Sequence, residues 1–272
     1  MCIRDRYQLD FNGHYRKVAT DGELKHVSLV DSKKTISAET YGAMITIDRK
    51  TRRNDDLGII TAKASGLGVL GAERVEESVF VLLLSNPSSF FAAGNNNLIT
   101  GGTTNLSVTS LETARQKFRD QTVNGKPVGV SPTILLTGTT LITTAENLWT
   151  LQGGTQLTLG GSNTDTGLVF LNNPHKGLYR PYNSPYLNNT AVLDQDGRAI
   201  SGQTSTQWYL FAPPSSPQGS ALVIGFLDGR ETPFFDQEET QFNIPGGISF
   251  RSYFDWGVAM HMTQLALKSA GA

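Results

Sequence analysis

A long run of apolar residues at helical spacing, from residue 57 to residue 84, constrains the fold of this chain more than any other feature. The segment Asn54-Asp55-Asp56, directly before it, consists of residue types that start helices, and acidic side chains suit the positive end of a helix dipole. Pro87 follows shortly after the run and cannot continue a helix. An unbroken helix of about 28 residues is about 42 Å long, which is enough to cross a whole domain.

The charge balance argues against a nucleic-acid-binding protein. Charged residues make up 17% of the 272 residues and the formal net charge is −1, whereas nucleic-acid binding calls for a basic surface. A net charge near zero favours association between copies instead. No stretch approaches the roughly 18 apolar residues of a transmembrane helix, so no membrane partner is expected. A single cysteine, Cys2, excludes an internal disulfide and a cysteine-based zinc site.

The segment before the helical run predicts an extended arm. Residues 43–48 alternate between apolar and polar side chains, which is typical of a strand, and the polar residues 30–36 suit the tip of a hairpin. Residues 23–48 are therefore predicted to form a two-stranded arm. Such a ribbon is only marginally stable alone in water, so it needs a surface to lie on, and a neighbouring subunit is one candidate.

The rest of the chain predicts two short helices among strands and loops. Capping boxes at 109–112 and 143–146 each predict a helix start, and Leu111, Ala114 and Phe118 give the first helix its buried stripe. Residues 150–206 are rich in glycine, asparagine and threonine and are expected to form surface loops. Further segments predict a turn at Asn124-Gly125 and strands at 134–136, 207–211, 221–227, 248–254 and 258–267.

No pattern in the sequence predicts a catalytic, metal or cofactor site. The histidines are not spaced as metal ligands or beside a cysteine; they are His14, His26, His175 and His261. Residues 66–71 match GxGxxG formally but lie inside the helical run and not after a strand, so dinucleotide binding is not expected. The acidic residues between 228 and 239 leave one enzymatic alternative open, a hydrolase on an α+β scaffold, although solvated loop charge explains them more simply.

The order of several short motifs resembles that of tailed-bacteriophage major capsid proteins, and in particular the Mu-like prophage major head subunits. These subunits often form the capsid half of a fusion with a prohead protease. The first motifs are Gly22-Glu-Leu-Lys-His26, Tyr41-Gly42, Asn54-Asp-Asp-Leu57, Leu84-Ser-Asn-Pro87, Gly94-Asn-Asn-Asn-Leu98 and Gly125-Lys-Pro127. They are followed by Pro132-Thr-Ile-Leu135, Asn173-Pro174, Trp208-Tyr-Leu-Phe211, Phe226-Leu-Asp-Gly229, Pro233 and Phe254-Asp-Trp-Gly-Val258.

The resemblance implies the α+β Hong Kong 97-type capsid fold, with a spine helix, an extended E-loop, and peripheral and axial domains. The implied divisions are a truncated N-terminal region (1–22), the E-loop hairpin (23–48), the peripheral domain with spine helix 57–84 (49–125), the axial domain (126–220) and a return to the peripheral sheet (221–272). Met1 to Arg6 resembles a translated sequencing-adapter remnant. On that interpretation the N-terminal arm of the family is cut short, and the chain is expected to form monomers or small capsomers rather than closed shells.

The implied function is structural: a major head subunit that assembles as pentamers and hexamers into an icosahedral virion capsid around double-stranded DNA. The implied partners are further copies, a prohead protease or scaffold during assembly in the host cytoplasm, and packaged DNA contacted non-specifically. A non-viral encapsulating nanocompartment shell of the same fold is a further alternative. Candidates for inter-subunit contacts are the charged residues Lys33, Lys34, Arg49, Glu73 and Glu77.

Overall fold

The computed structural model describes residues 2–12, 17–18, 22, 24, 26–54, 63, 66–151, 173–194, 196–216, 218–240 and 246–271. The helices in these ranges are α1 (Arg49–Asn54), α2 (Leu67–Ser85), α3 (Val108–Arg119) and α4 (Ile142–Thr150). The strands are β1 (Cys2–Asn12), β2 (Ser28–Ile47), β3 (Leu98–Ile99), β4 (Thr122–Val123), β5 (Lys126–Pro127), β6 (Ile134–Thr137), β7 (Arg180–Asn183), β8 (Trp208–Phe211), β9 (Leu222–Phe226), β10 (Phe234–Thr240), β11 (Gly247–Met260) and β12 (Ala266–Ser269).

The chain divides into two compact units. Unit 1 comprises Met1–Val79 and Val223–Ala259, and unit 2 comprises Phe80–Leu222 and Met260–Ala272. Each unit has its own five-stranded sheet: β1-β2-β11-β10, with β9 also on β11, and β3-β12-β8-β6-β7. The mixture of helix and sheet agrees with the predicted α+β class.

The sheet of unit 1 is organised by the 20-residue strand β2, which changes partner along its length. Residues 28–38 pair antiparallel with β1 alone, and residues 39–47 pair antiparallel with β11. The hairpin tip predicted at 30–36 is therefore wrong, because the strand runs straight through it. Lysines are tolerated there because the described side chains from residue 28 to residue 35 are exposed, whereas Ile36 is buried. The turn between β1 and β2 falls in residues 13–27, most of which lie outside the described residues.

Helix α2 confirms a helix ending near residue 84, but its described part begins at Leu67, after a turn at Gly66. Most of the predicted first ten residues, from 57 to 66, lie outside the described residues, so the spine from residue 57 stays a prediction. Asn86 ends the helix in the left-handed region at φ 47°, immediately before Pro87. No described helix is both long and apolar enough to cross a membrane.

The polar segment after α2 is a tightly hydrogen-bonded loop and not an open linker. The side chain of Asn86 accepts from the Phe91 amide at 2.7 Å and donates to its carbonyl at 3.1 Å. The fully buried Asn97 donates to the carbonyls of Phe90 at 2.9 Å and Thr263 at 3.1 Å. These asparagine side chains take the place of regular backbone hydrogen bonds. They satisfy buried backbone groups that water cannot reach.

The core of unit 2 lies between its sheet and α3. The predicted stripe of Leu111, Ala114 and Phe118 is confirmed, since all three side chains are buried. Trp208 on β8 is also fully buried, and its indole donates to the carbonyl of Thr104 at 3.0 Å. The predicted strands at 134–136, 207–211, 221–227 and 248–254 and the turn at Asn124-Gly125 are confirmed.

Both capping boxes were misplaced, although both helices exist. Helix α3 is capped two residues earlier than predicted, by Ser107, which forms a capping box with Ser110. Helix α4 begins at Ile142, so Thr143 lies inside it, and its N-cap Leu141 makes no side-chain cap. The stretch 150–206 is not all surface, because Leu187 and Ile200 are buried. Its residues 152–172 lie outside the described residues.

Candidate assembly interface

One exposed extended feature of unit 1 is the start of β2, which pairs only with β1. Every described side chain from residue 28 to residue 35 is exposed, including the apolar Leu29 and Val30. Further along β2, Met44 exposes 69% of its surface. Large apolar side chains held in water on a strand are unfavourable unless something covers them. This strand is therefore a candidate contact surface.

Four of the five predicted contact residues are exposed, and one is not. Lys33 and Lys34 lie within β2, Arg49 opens α1, and Glu73 lies on α2. Glu77 is only 3% exposed. Glu73, four residues earlier on α2, is exposed, so burial changes within about one turn of this helix. Glu77 is thus unsuited to contact another copy, and this part of the prediction is corrected.

Glu77 belongs to a buried cluster that joins α2 to strands β2 and β11. Its carboxylate forms an ion pair with Arg74, whose guanidinium lies 5.3 Å from the centre of the Tyr41 ring. Tyr41 in turn stacks on the buried Trp256, with ring centroids 4.1 Å apart. The indole of Trp256 donates to the Ser78 hydroxyl at 3.4 Å. Partial burial, followed by the hydrogen bond to Glu39, raises the pKa of Tyr41.

An aromatic cleft of about 450 Å³ lies beside the middle of β11, at Tyr253, Phe254 and Asp255. Phe234 stacks in parallel on Tyr253, with centroids 5.0 Å apart, and the Arg230 guanidinium lies 3.7 Å from the centre of the Phe234 ring. Asp228 and Asp255 line the same cleft. The sequence analysis missed this site because only the pairing of Phe234 with Tyr253 across β10 and β11 brings its walls together.

The acidic residues at 228–239 are distributed over a turn and the exposed strand β10. Asp236 lies on β10 and forms an ion pair with Arg251 at 2.8 Å, while Asp228 lies in the turn before β10. Glu238 shares the strand face of Asp236, and Glu239 points to the opposite face because side chains alternate along a strand. Charge is thus spread along a strand.

The histidines are likewise separate. His175 is buried, with its Nε2 at 3.2 Å from the Val108 carbonyl and its ring tilted against Tyr179. Burial lowers the pKa of His175. His26 is exposed and His261 half-buried, while His14 lies outside the described residues. Within the part of the chain that the structure describes, no three His, Cys, Asp or Glu side chains gather as metal ligands.

Unit 2 presents a smaller exposed apolar area at the end of α4. Trp149, Leu151 and Leu178 are all exposed. They lie close together, because the amide of Gly177 donates to the carbonyl of Trp149 at 3.0 Å. The Asn173 side chain donates to the carbonyls of Leu148 at 2.6 Å and Leu151 at 3.0 Å, which holds this end of the helix.

Comparison with solved structures identifies the fold. The capsid of the cyanophage P-SCSP1u matches with a TM-score of 0.59 at 11% identity, covering 98% of this chain and 84% of that chain. The capsid of Helicobacter pylori bacteriophage KHP30 gives 0.55 at 13% identity, with the same two coverages. The SrpI encapsulin of Synechococcus elongatus gives 0.52 at 11% identity, covering 96% and 81%. These likenesses show a capsid-type fold of the Hong Kong 97 kind.

Comparison with sequence families is more specific than the structural likeness. No curated protein matches the chain. The sequence model described as phage capsid protein matches residues 32–264, which is most of the chain and spans both units. The chain belongs to the phage capsid protein family.

Proposed function

We propose that this chain is the major head subunit of a phage of the Mu-like prophage type and that it assembles as pentamers and hexamers into an icosahedral head. The observation that carries the proposal is the match of the phage capsid family over residues 32–264. The motif order from Gly22 to Val258 supports the Mu-like subtype. The head would enclose double-stranded DNA, and assembly would take place in the bacterial cytoplasm with a prohead protease or scaffold.

In this proposal the ribbon of β1 and residues 28–38 of β2 acts as the E-loop and lies over a neighbouring copy. Its exposed apolar residues and its pairing with a single strand support this role. Covering these apolar side chains would stabilise the contact by about 25 cal/mol for each Å² of apolar surface removed from water. Lys33, Lys34, Arg49 and Glu73 are proposed to make polar contacts at the rim of such interfaces.

Helix α2 would act as the spine of the peripheral domain, which we assign to residues 49–125 and 221–272. Residues 126–220 would form the axial domain at the centre of each capsomer. The exposed Trp149 and Leu151 at the end of α4 support a contact there. Pentamers and hexamers both require heterologous, closing contacts between different surfaces of neighbouring copies.

The likeness to an encapsulin favours one second candidate, a shell subunit of a non-viral nanocompartment. The two candidates differ in what the shell depends on and contains. A phage head is expected to depend on a protease or scaffold partner and to contain DNA. A nanocompartment shell is expected to close without that partner and to retain a protein.

Mass photometry and electron microscopy of the purified chain over a range of concentrations test the proposal. Small capsomers, such as pentamers or hexamers, are expected as the concentration rises. A chain that stays monomeric at the highest soluble concentration, with folding confirmed by circular dichroism, would contradict the assembly function. Shells that form from this chain alone and hold a specific protein would favour the nanocompartment.

A further inference from the structure

We propose that the cleft bounded by Asp228 and Asp255 receives the basic helix α1 of a second copy of this chain, an inference that rests on the proposed assembly function. The cleft combines aromatic walls with carboxylates. Asp228 is exposed and makes no hydrogen bond or ion pair with the residues that the structure describes. One oxygen of Asp255 accepts a hydrogen bond from the Thr40 hydroxyl, which fixes the carboxylate at the cleft wall.

The cleft already shows that it accommodates a cationic side chain. The guanidinium of Arg230 lies on the ring of Phe234 and donates through Nε to the carbonyl of Thr232 at 3.1 Å. Arginine and lysine favour aromatic faces because of the negative charge above the ring. With two carboxylates and one arginine, the walls keep a net negative charge. A second cation is therefore the complementary occupant.

Helix α1 is the complementary segment. Its sequence is Arg-Lys-Thr-Arg-Arg-Asn, and the side chains of Arg49, Lys50 and Arg53 are exposed. None of these three forms an ion pair within 4 Å with the described residues. The chain as a whole has a net charge of only −1, so this concentration of positive charge is local.

The helix cannot reach the cleft of its own chain. The Arg49 side chain lies against Gly246, directly before β11, where Ile248 pairs with Ile47. Tyr253 stands seven residues after Gly246 along the strand, which is about 23 Å at roughly 3.3 Å per residue. An arginine side chain is far shorter than this distance. The two complementary surfaces therefore meet only between copies, as a heterologous contact that generates rings or closed shells.

Reciprocal charge reversal tests this contact. One variant carries Asp228→Lys, and the other carries Lys50→Glu and Arg53→Glu. Each alone should raise the concentration needed for half-association at least tenfold, as measured by mass photometry. An equimolar mixture should recover association, because the reversed cleft of one variant attracts the reversed helix of the other. Asp228→Asn, which keeps a residue type tolerant of the left-handed backbone at φ 52°, should give an intermediate loss.

The outcomes separate this inference from the proposed function. If the unchanged chain never associates, both fail. If it associates and the single variants associate equally well, only this inference fails. If neither the mixture nor a chain that carries both reversals recovers association, this inference is also overturned.

A cysteine pair gives a second measurement that does not depend on charge. Asp228→Cys in one chain and Arg53→Cys in a tagged chain, both with Cys2→Ser, should form a disulfide between the two chains under mild oxidation. Absence of this product in associated material would refute the contact.

Discussion

Replacing Arg74 with methionine should destabilise unit 1 strongly, because Arg74 forms an ion pair with the buried Glu77. Methionine keeps most of the length and apolar character of the arginine stem. The change removes the Arg74 guanidinium from beside Glu77, a position that is 3% exposed. Removing one member of a buried pair typically costs about 3–5 kcal/mol, because the remaining charge is poorly solvated.

A second contribution comes from the ring of Tyr41. The Arg74 guanidinium, 5.3 Å from the ring centre, is lost in the variant, and such contacts are worth about 0.5–2 kcal/mol. The double variant R74M/E77M should recover most of the loss, because apolar side chains replace both charges.

Urea unfolding followed by tryptophan fluorescence, with hydrogen exchange of α2 to localise the change, measures the effect. Arg198→Met is the matched control. The Arg198 guanidinium lies 3.9 Å from the Asp196 carboxylate, and both side chains are largely exposed. Loss of this ion pair should therefore lower the free energy of unfolding by less than about 1 kcal/mol. A loss below about 1 kcal/mol in R74M, or a double variant no more stable than the single one, would refute the reasoning.

Three further predictions concern other parts of the chain. Gly257→Ala should prevent normal folding of unit 1, because the added Cβ would lie 2.0 Å from the Ser37 carbonyl oxygen. Gly225→Ala is the control and should be tolerated, because the nearest atom to its added Cβ lies 3.5 Å away. Circular dichroism and soluble yield compare the two variants. The pKa of His175 is lowered by burial, so the folding stability should decrease as the pH falls below about 6.5. In His175→Gln, the thermal unfolding temperature should therefore change less between pH 7.5 and pH 5. DNA binding by the purified chain should be weak and non-specific, since a net charge of −1 releases few counterions; tight or sequence-selective binding in a filter assay would contradict this.

Short-range patterns in the sequence predicted several structural elements correctly. The stripe of Leu111, Ala114 and Phe118 identified the buried face of α3, and Asn124-Gly125 identified the turn between β4 and β5. Both signals depend on residues within a few positions of one another. Helix starts were less predictable: Ser107 and not Thr109 caps α3, because several serines and threonines there suit the same role.

The partners of β2 could not be predicted from its own residues. Its polar centre suggested a turn, but residues 28–38 pair with β1 and residues 39–47 with β11, more than 200 residues away. A strand with solvent on both faces carries polar residues without turning. The burial of Glu77 was missed for a related reason, since helical spacing shows which residues share a face but not what covers that face.

The sequence by itself determined the family, the α+β class, the stripe of α3 and the position where α2 ends, because these depend on composition, motif order and short-range periodicity. Only the tertiary structure decided that Glu77 lies buried beside Arg74, and that Phe234 and Tyr253 form a cleft with Asp228 and Asp255. It also placed the basic helix α1 beside Gly246, before the start of β11, whereas the cleft lies at the middle of that strand. These arrangements arise from strand pairing between distant segments, whose register is selected by burial of the whole sheet and not by any local signal.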